Sequence, residues 1–129
     1  MRLLLDTHAF LWFEADSPNL PRAARDEITA EFNEVFLSIA SVWEIAIKVS
    51  LEKLSIEGTL EELVMPEMAD NTFSLLPIQI PHLALVAGMT FHHRDPFDRL
   101  LAAQCLSEGM AIVSRDPLFE MYGVRRIWQ

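Results

Sequence analysis

The sequence predicts an α/β protein in which a mainly parallel central sheet carries helices on both faces. Short apolar runs alternate with longer segments of helical spacing along the chain, and this alternation is typical of parallel sheets. The chain has 129 residues, of which 51% are hydrophobic, and this length and content suit one core. We therefore expect one domain over residues 1–129.

The first third of the chain is predicted to form two buried strands with helices between them. The apolar run 3–5 suits a buried parallel strand, and Thr7–Phe13 follows as a short helix. Pro21 breaks the chain and opens a helix over residues 22–33, which has apolar residues at helical spacing. Val35–Ser38 is the second predicted strand.

Two capping patterns predict the next helices. Ser41 followed by Glu44 is a signature of a helix start, so we expect a helix that begins at Ser41 and ends near Leu51. Thr59 begins the same pattern and opens a helix over residues 60–69.

The following segment is predicted to contain two further helices. Phe73–Pro77 is either a short strand or an extended link, and Pro81–Met89 is a helix. Proline in the first turn predicts the helix Pro96–Glu108, and Gly109 is its expected stop.

The chain ends with two more predicted strands, Met110–Ser114 and Val124–Trp128, and a short helix near Leu118–Tyr122 lies between them. The last strand suits an edge position. Because crossovers between parallel strands are right-handed, the carboxyl ends of the strands meet at one edge of the sheet, where α/β proteins bind ligands.

The charge and composition exclude several classes of protein. A net charge of −9 argues against nucleic-acid binding by bulk positive charge, since such domains usually have a pI above about 9. The apolar content excludes a disordered tail. Cys105 is the single cysteine, which favours a reducing, cytoplasmic setting. No apolar run approaches the roughly 20 residues of a membrane span, and Asp6 interrupts the N-terminal run too early for a signal peptide.

Acidic residues recur at the predicted carboxyl edge of the sheet. They end strands or begin helices there, and they are Asp6, Glu44, Asp95, Asp98 and Asp116. Clustered carboxylates repel one another and raise each other's pKa values, and a divalent cation relieves that repulsion. Oxygen ligands favour Mg²⁺ or Mn²⁺ over zinc, and such ions can promote phosphodiester cleavage.

Each acid also has a structural interpretation. An acid in a first helical turn complements the helix dipole, which applies to Glu44, Asp95 and Asp98, and Asp116 before a proline suits a turn. Asp6 is harder to explain by capping, because its neighbour Thr7 could meet any capping need at this position. Their joint placement therefore favours a metal site.

Four stretches, taken in order, closely resemble the PIN-domain family. Within it the sequence looks like the VapC group, the toxin half of type II toxin–antitoxin pairs. The stretches are LLLDTH (3–8), SVWEIAIK (41–48), HRDPFDRLLAAQ (93–104) and SRD (114–116).

The resemblance implies a three-layer α/β/α PIN-like fold and an Mg²⁺- or Mn²⁺-dependent ribonuclease. The family's catalytic and metal-binding acids fall on Asp6, Glu44, Asp98 and Asp116. Residues expected to support these acids or the substrate are Thr7, Asp95, Ser114, Arg94 and Arg99. Arg115 is also next to an acid, where local ion pairing is the simpler interpretation.

The resemblance also implies partners. They are a cognate antitoxin, an RNA substrate and a second copy of the chain, with assembly into a toxin–antitoxin hetero-oligomer. No membrane association is expected, and the chain has no DNA-reading motif of its own.

Two other functions stay open. One is a PIN-fold binding module with little or no nuclease activity, and the other is a different Mg²⁺-dependent phosphohydrolase. Aspartyl-nucleophile phosphatases often carry Asp-x-Asp after the first strand, whereas this chain has Asp6-Thr7-His8. His8, His92 and His93 lack zinc-site spacing, and we expect them to pack or to lie on the surface.

Overall fold

The computed structural model describes residues 1–70 and 72–129. In this part of the chain, five strands form one all-parallel sheet in the order β3-β2-β1-β4-β5. The strands are β1 (Arg2–Leu5), β2 (Glu34–Ser38), β3 (Ser74–Leu76), β4 (Ala111–Val113) and β5 (Arg126–Ile127). The helices are α1 (Thr7–Glu14), α2 (Arg22–Thr29), α3 (Ile39–Ser50), α4 (Leu60–Ala69), α5 (Ile80–Gly88) and α6 (Pro96–Glu108), with a 3₁₀ helix at Pro117–Tyr122.

Side chains of the central strand β1 point alternately to two hydrophobic cores. Leu3 and Leu5 pack in the core that includes residues of α1, α2, α3 and α4. Leu4 packs on the other face against α6. All three leucines are fully buried, because a parallel sheet covered on both faces has no solvent-facing side. The predicted three-layer α/β/α fold is confirmed.

Helix ends follow the capping chemistry at most of the predicted positions. Thr59 and Glu62 form a reciprocal capping box at the start of α4. Gly109 ends α6 with φ of 67°, a left-handed conformation that glycine adopts at little cost.

Two predicted helix boundaries are wrong. The helix after β2 begins at Ile39, since the hydroxyl of Ser38 accepts the Ala40 N–H, and Ser41 therefore lies inside the first turn. The helix predicted over residues 22–33 ends at Thr29, because the next residue returns to extended backbone. Phe73–Pro77, which the sequence left as strand or link, contains the short strand β3. Within the described ranges, no helix is long and apolar enough to cross a membrane.

Candidate metal centre

Asp6 and Asp116 follow the adjacent strands β1 and β4, and Ser114 connects them. The Ser114 hydroxyl accepts the Asp116 N–H at 3.0 Å and hydrogen-bonds to the side chain of Asp6. Asp6 also caps α1, since its Oδ1 accepts the Ala9 N–H at 2.8 Å. The expectation that Asp6 has no capping task is therefore wrong: the carboxylate performs this task, and Thr7 is used elsewhere.

Asp98 and Asp116 come close together at the carboxyl edge of the sheet, and His93 joins them. Potential ligand atoms of these three residues all lie within 4.8 Å of one another. Asp6 and Asp116 also line an open cleft of about 480 Å³. The fold thus brings together acids that are separated by about ninety residues in the chain.

Two of these acids resist ionisation. Burial and, after it, the negative charges of Asp95, Asp6, Glu44 and Asp116 in that order together raise the pKa of Asp98 to about 7. Burial also raises the pKa of Asp6, although hydrogen bonds from Ser114 and Ala9 oppose this effect.

Glu44 has partners at both carboxylate oxygens. The Thr7 hydroxyl donates to Oε1 at 2.6 Å, and Lys48 donates to Oε2 at 2.7 Å. Ser41 lies 3.0 Å from the same Thr7 hydroxyl. Glu44 is 5% exposed, so these contacts compensate a buried charge. Sequence reasoning missed Lys48, although its position four residues after Glu44 on one helix could have revealed the pair.

His93 is the second residue that sequence reasoning missed. It is 6% exposed, in agreement with the packing role expected for it, but its Nε2 also lies 2.8 Å from Asp116 Oδ2. No local sequence signal indicates this contact, because it joins the loop before α6 to the loop after β4. His8 is exposed and His92 is half-buried.

The remaining predicted residues divide between the edge of the sheet and the scaffold. Asp95 caps α6 by accepting the Phe97 N–H at 2.8 Å, as one of its two expected roles required. Arg94 is exposed. Arg99 is 5% exposed, and its guanidinium donates to the carbonyls of residues 86, 89 and 90. These contacts hold the α5–α6 connection, so the structure does not bring Arg99 to the acidic edge as expected.

The acidic edge fits a hard divalent cation. Two of the three clustered groups are carboxylates, those of Asp98 and Asp116, and oxygen donors of this kind match Mg²⁺ and Mn²⁺. The raised pKa values of Asp98 and Asp6 also favour a cation, because a bound cation would replace the protons that reduce the repulsion between the carboxylates. Asp6, Asp98 and Asp116 are the residues best placed to hold it.

A parallel sheet with an acidic cluster at its carboxyl edge defines a class of α/β proteins that bind ligands beyond the strand ends. The sequence of residues 3–124 matches the PIN domain. The chain therefore belongs to the PIN-domain family. A comparison with curated proteins finds no significant match.

Solved structures share this fold over nearly the whole chain. FitAcB from Neisseria gonorrhoeae has a TM-score of 0.65 at 21% identity, covering 97% of this chain and 96% of that one. VapBC2 from Rickettsia felis, bound to a promoter DNA fragment, has a TM-score of 0.69 at 14% identity and full coverage of both chains. VapBC-1 from nontypeable Haemophilus influenzae has a TM-score of 0.65 at 12% identity, covering 98% and 97%.

Proposed function

We propose that this protein is a divalent-metal-dependent ribonuclease that acts as the toxin of a type II toxin–antitoxin pair. The observation that carries this proposal is the convergence of Asp6, Asp98 and Asp116 at the carboxyl edge of a PIN fold. The toxin–antitoxin structures that share the fold support the biological role.

The residues of this chain divide the work of phosphodiester hydrolysis. Asp6, Asp98 and Asp116 would hold Mg²⁺ or Mn²⁺, and the bound ion would supply activation of water and stabilisation of the leaving oxygen. Thr7 and Lys48 hold the two oxygens of the Glu44 carboxylate and orient it beside Asp6. Arg115 lines the same cleft and contacts the phosphate backbone. The excess negative charge of the protein excludes RNA binding by bulk charge and makes the cation necessary.

Cleavage of RNA by the purified protein tests the proposal. We expect Mg²⁺ or Mn²⁺ to support cleavage, EDTA to stop it, and D98N to abolish it, while D26N on the exposed face of α2 cleaves like the wild type. Binding of RNA without cleavage would support the binding-module alternative. Faster turnover of a small phosphate ester than of RNA would support the phosphohydrolase alternative.

A groove beside α1 supports an antitoxin partner. Its volume is about 410 Å³, and its apolar lining includes Leu11, Trp12, Leu54 and Ile56. Glu14 also lines it and has a buried Oε1 with no hydrogen-bond partner in the described part of the chain. Glu57 and Glu62 line the same groove, and this acidic surround suits a basic residue between apolar residues of the antitoxin. Copurification of the two proteins, weakened by W12A, would support this site, and unchanged binding would refute it.

An apolar surface on the other side of the molecule supports a homodimer. Leu85, Leu106 and Met121 line one shallow pocket and are between 41% and 62% exposed. Large exposed apolar patches are typical of interfaces. We expect light scattering to give the mass of a dimer and L85D to give the mass of a monomer. The mass of a monomer for the wild-type protein would refute the dimer.

We also propose that the protein acts in the cytoplasm, in keeping with the proposed RNA target.

A further inference from the structure

His93 lies between Tyr122 and Asp116 in a chain of hydrogen bonds. Its backbone N–H donates to the Tyr122 hydroxyl at 3.0 Å, and its Nδ1 lies 2.9 Å from the same oxygen. Its Nε2 lies 2.8 Å from Asp116 Oδ2. The imidazole ring stacks on Tyr122 with an interplanar angle of 6° and also contacts Phe119. The ring therefore packs against two aromatic side chains and has a polar partner at both nitrogens.

These contacts determine which ring nitrogen carries the proton. The Tyr122 oxygen already accepts the backbone N–H of His93, so its own hydrogen can point to Nδ1. Nδ1 then accepts, and in a neutral imidazole the proton must be on Nε2. Nε2–H donates to Asp116, whose negative oxygen can only accept. Each of the three contacts has one donor and one acceptor in this arrangement.

We propose that His93 is a positioning residue that orients Asp116 toward the cation, and that Tyr122 sets the tautomer that makes this possible. The proposal rests on the metal-dependent function above and identifies a residue that supports the same site. His93 is close enough to the acids to be taken for a ligand. With its proton on Nε2, however, it has no lone pair to offer a metal ion on that side.

Asp116 needs such support because of its position. Its side chain is 37% exposed and lies at the start of the 3₁₀ helix, where Oδ1 accepts the Leu118 N–H at 2.9 Å. The bond from His93 holds the second oxygen, so the carboxylate cannot rotate freely. Each oxygen keeps a further lone pair for a cation. Loss of such outer partners typically weakens metal affinity by roughly 10–100-fold.

Nuclear magnetic resonance of the imidazole nitrogens tests the tautomer directly. Long-range ¹H–¹⁵N spectra of the metal-free protein should show a protonated Nε2 and a bare Nδ1 for His93. Addition of Mg²⁺ should leave the Nε2 proton in place. Loss of that proton on Mg²⁺ binding would show that His93 is a ligand and would overturn the proposal, as would a proton on Nδ1 in the metal-free protein.

Metal affinity of matched variants tests the positioning role. H93F keeps an aromatic ring in the stack but removes the donor, and we expect its Mn²⁺ affinity to fall roughly 10–100-fold. H93Q places an amide donor near the Nε2 position and should restore most of the affinity. H92Q changes the neighbouring histidine and should bind Mn²⁺ like the wild type.

The variants also separate this proposal from the proposed function. If H93F does not fold, the Mn²⁺ affinities of Y122F and H93Q test the positioning role. Y122F removes only the hydroxyl and should weaken Mn²⁺ binding, whereas H93Q should not. Wild-type affinity in H93F or Y122F would overturn the positioning role and leave the ribonuclease proposal standing. Failure of the wild-type protein to bind Mn²⁺ would overturn both.

Discussion

Replacement of Asp98 by asparagine should stabilise the metal-free protein, although it removes a residue of the proposed active site. Asp98 has a pKa of about 7 in the folded protein and an ordinary value of 3.8. Between these pH values the folded state binds more protons than the unfolded chain, so stability falls as pH rises. Asparagine has the same shape and no charge, and its amide can donate to the neighbouring carboxylates.

The magnitude follows from the pKa difference. A shift of about 3 units corresponds to about 4 kcal/mol, and partial exposure of the side chain reduces this to about 2 kcal/mol. For a chain of this length, D98N should therefore raise Tm near pH 8 by roughly 6–10 °C. Near pH 4 the gain should almost vanish, because the unfolded chain then also holds much of the proton.

Thermal unfolding in EDTA between pH 4 and pH 8 measures this effect. D26N is the matched control, since it removes a charge from the exposed face of α2, and it should not show the same rise. In excess Mg²⁺ the order of the two Tm values should reverse. At a Mg²⁺ concentration one hundred times Kd, the bound cation stabilises the wild type by about 2.7 kcal/mol, and D98N should gain much less. An equal Tm for D98N and the wild type at pH 8 in EDTA would refute the reasoning.

Three further substitutions test the site and the scaffold that carries it. K48M leaves the buried Glu44 without its cation and should lower the free energy of unfolding by about 1–2 kcal/mol in urea titrations, whereas unchanged stability would mean that the ion pair contributes nothing. Burial, followed by the neighbouring Glu67, raises the pKa of Glu14 to about 7, so E14Q should raise Tm near pH 8 and leave it unchanged near pH 4; a gain at both pH values would contradict this. G109A should cost about 1 kcal/mol by the same titration, because φ at this position is 67°, and a neutral effect would show that the helix end adapts.

The sequence predicts the elements of this fold well where the signal is local. The Thr59 capping box and the Gly109 stop depend on neighbouring residues, and both are confirmed. The predicted start of α3 was wrong because two serines compete: Ser38 is the last residue of β2 and caps the helix, whereas Ser41 contacts Thr7. Both serines are fully buried, and the contact of Ser41 with Thr7 depends on the packing of α1 against α3, which is a property of the assembled fold.

The candidate site was predictable in part for a similar reason. Topology alone places Asp6 and Asp116 at one edge, since each follows a strand of a parallel sheet. The contact of His93 with Asp116 depends instead on how the loop before α6 packs on the 3₁₀ helix. Arg99 shows the opposite case. Its position beside Asp98 in the sequence predicted a contact with the substrate phosphate, but its guanidinium donates to backbone carbonyls instead. Neighbouring residues on a helix point in different directions.

The acids of the site avoid mutual repulsion by three different means. Glu44 has the ammonium of Lys48 and the Thr7 hydroxyl. Asp6 has hydrogen bonds from Ser114 and Ala9. Asp98 has a pKa of about 7, so at neutral pH its carboxyl holds a proton about half of the time. Its charge is therefore open to change, and a cation that enters the cleft would replace this proton. Affinity for Mg²⁺ should consequently fall about tenfold for each pH unit that the pH drops below 7, and it should stay constant above pH 7.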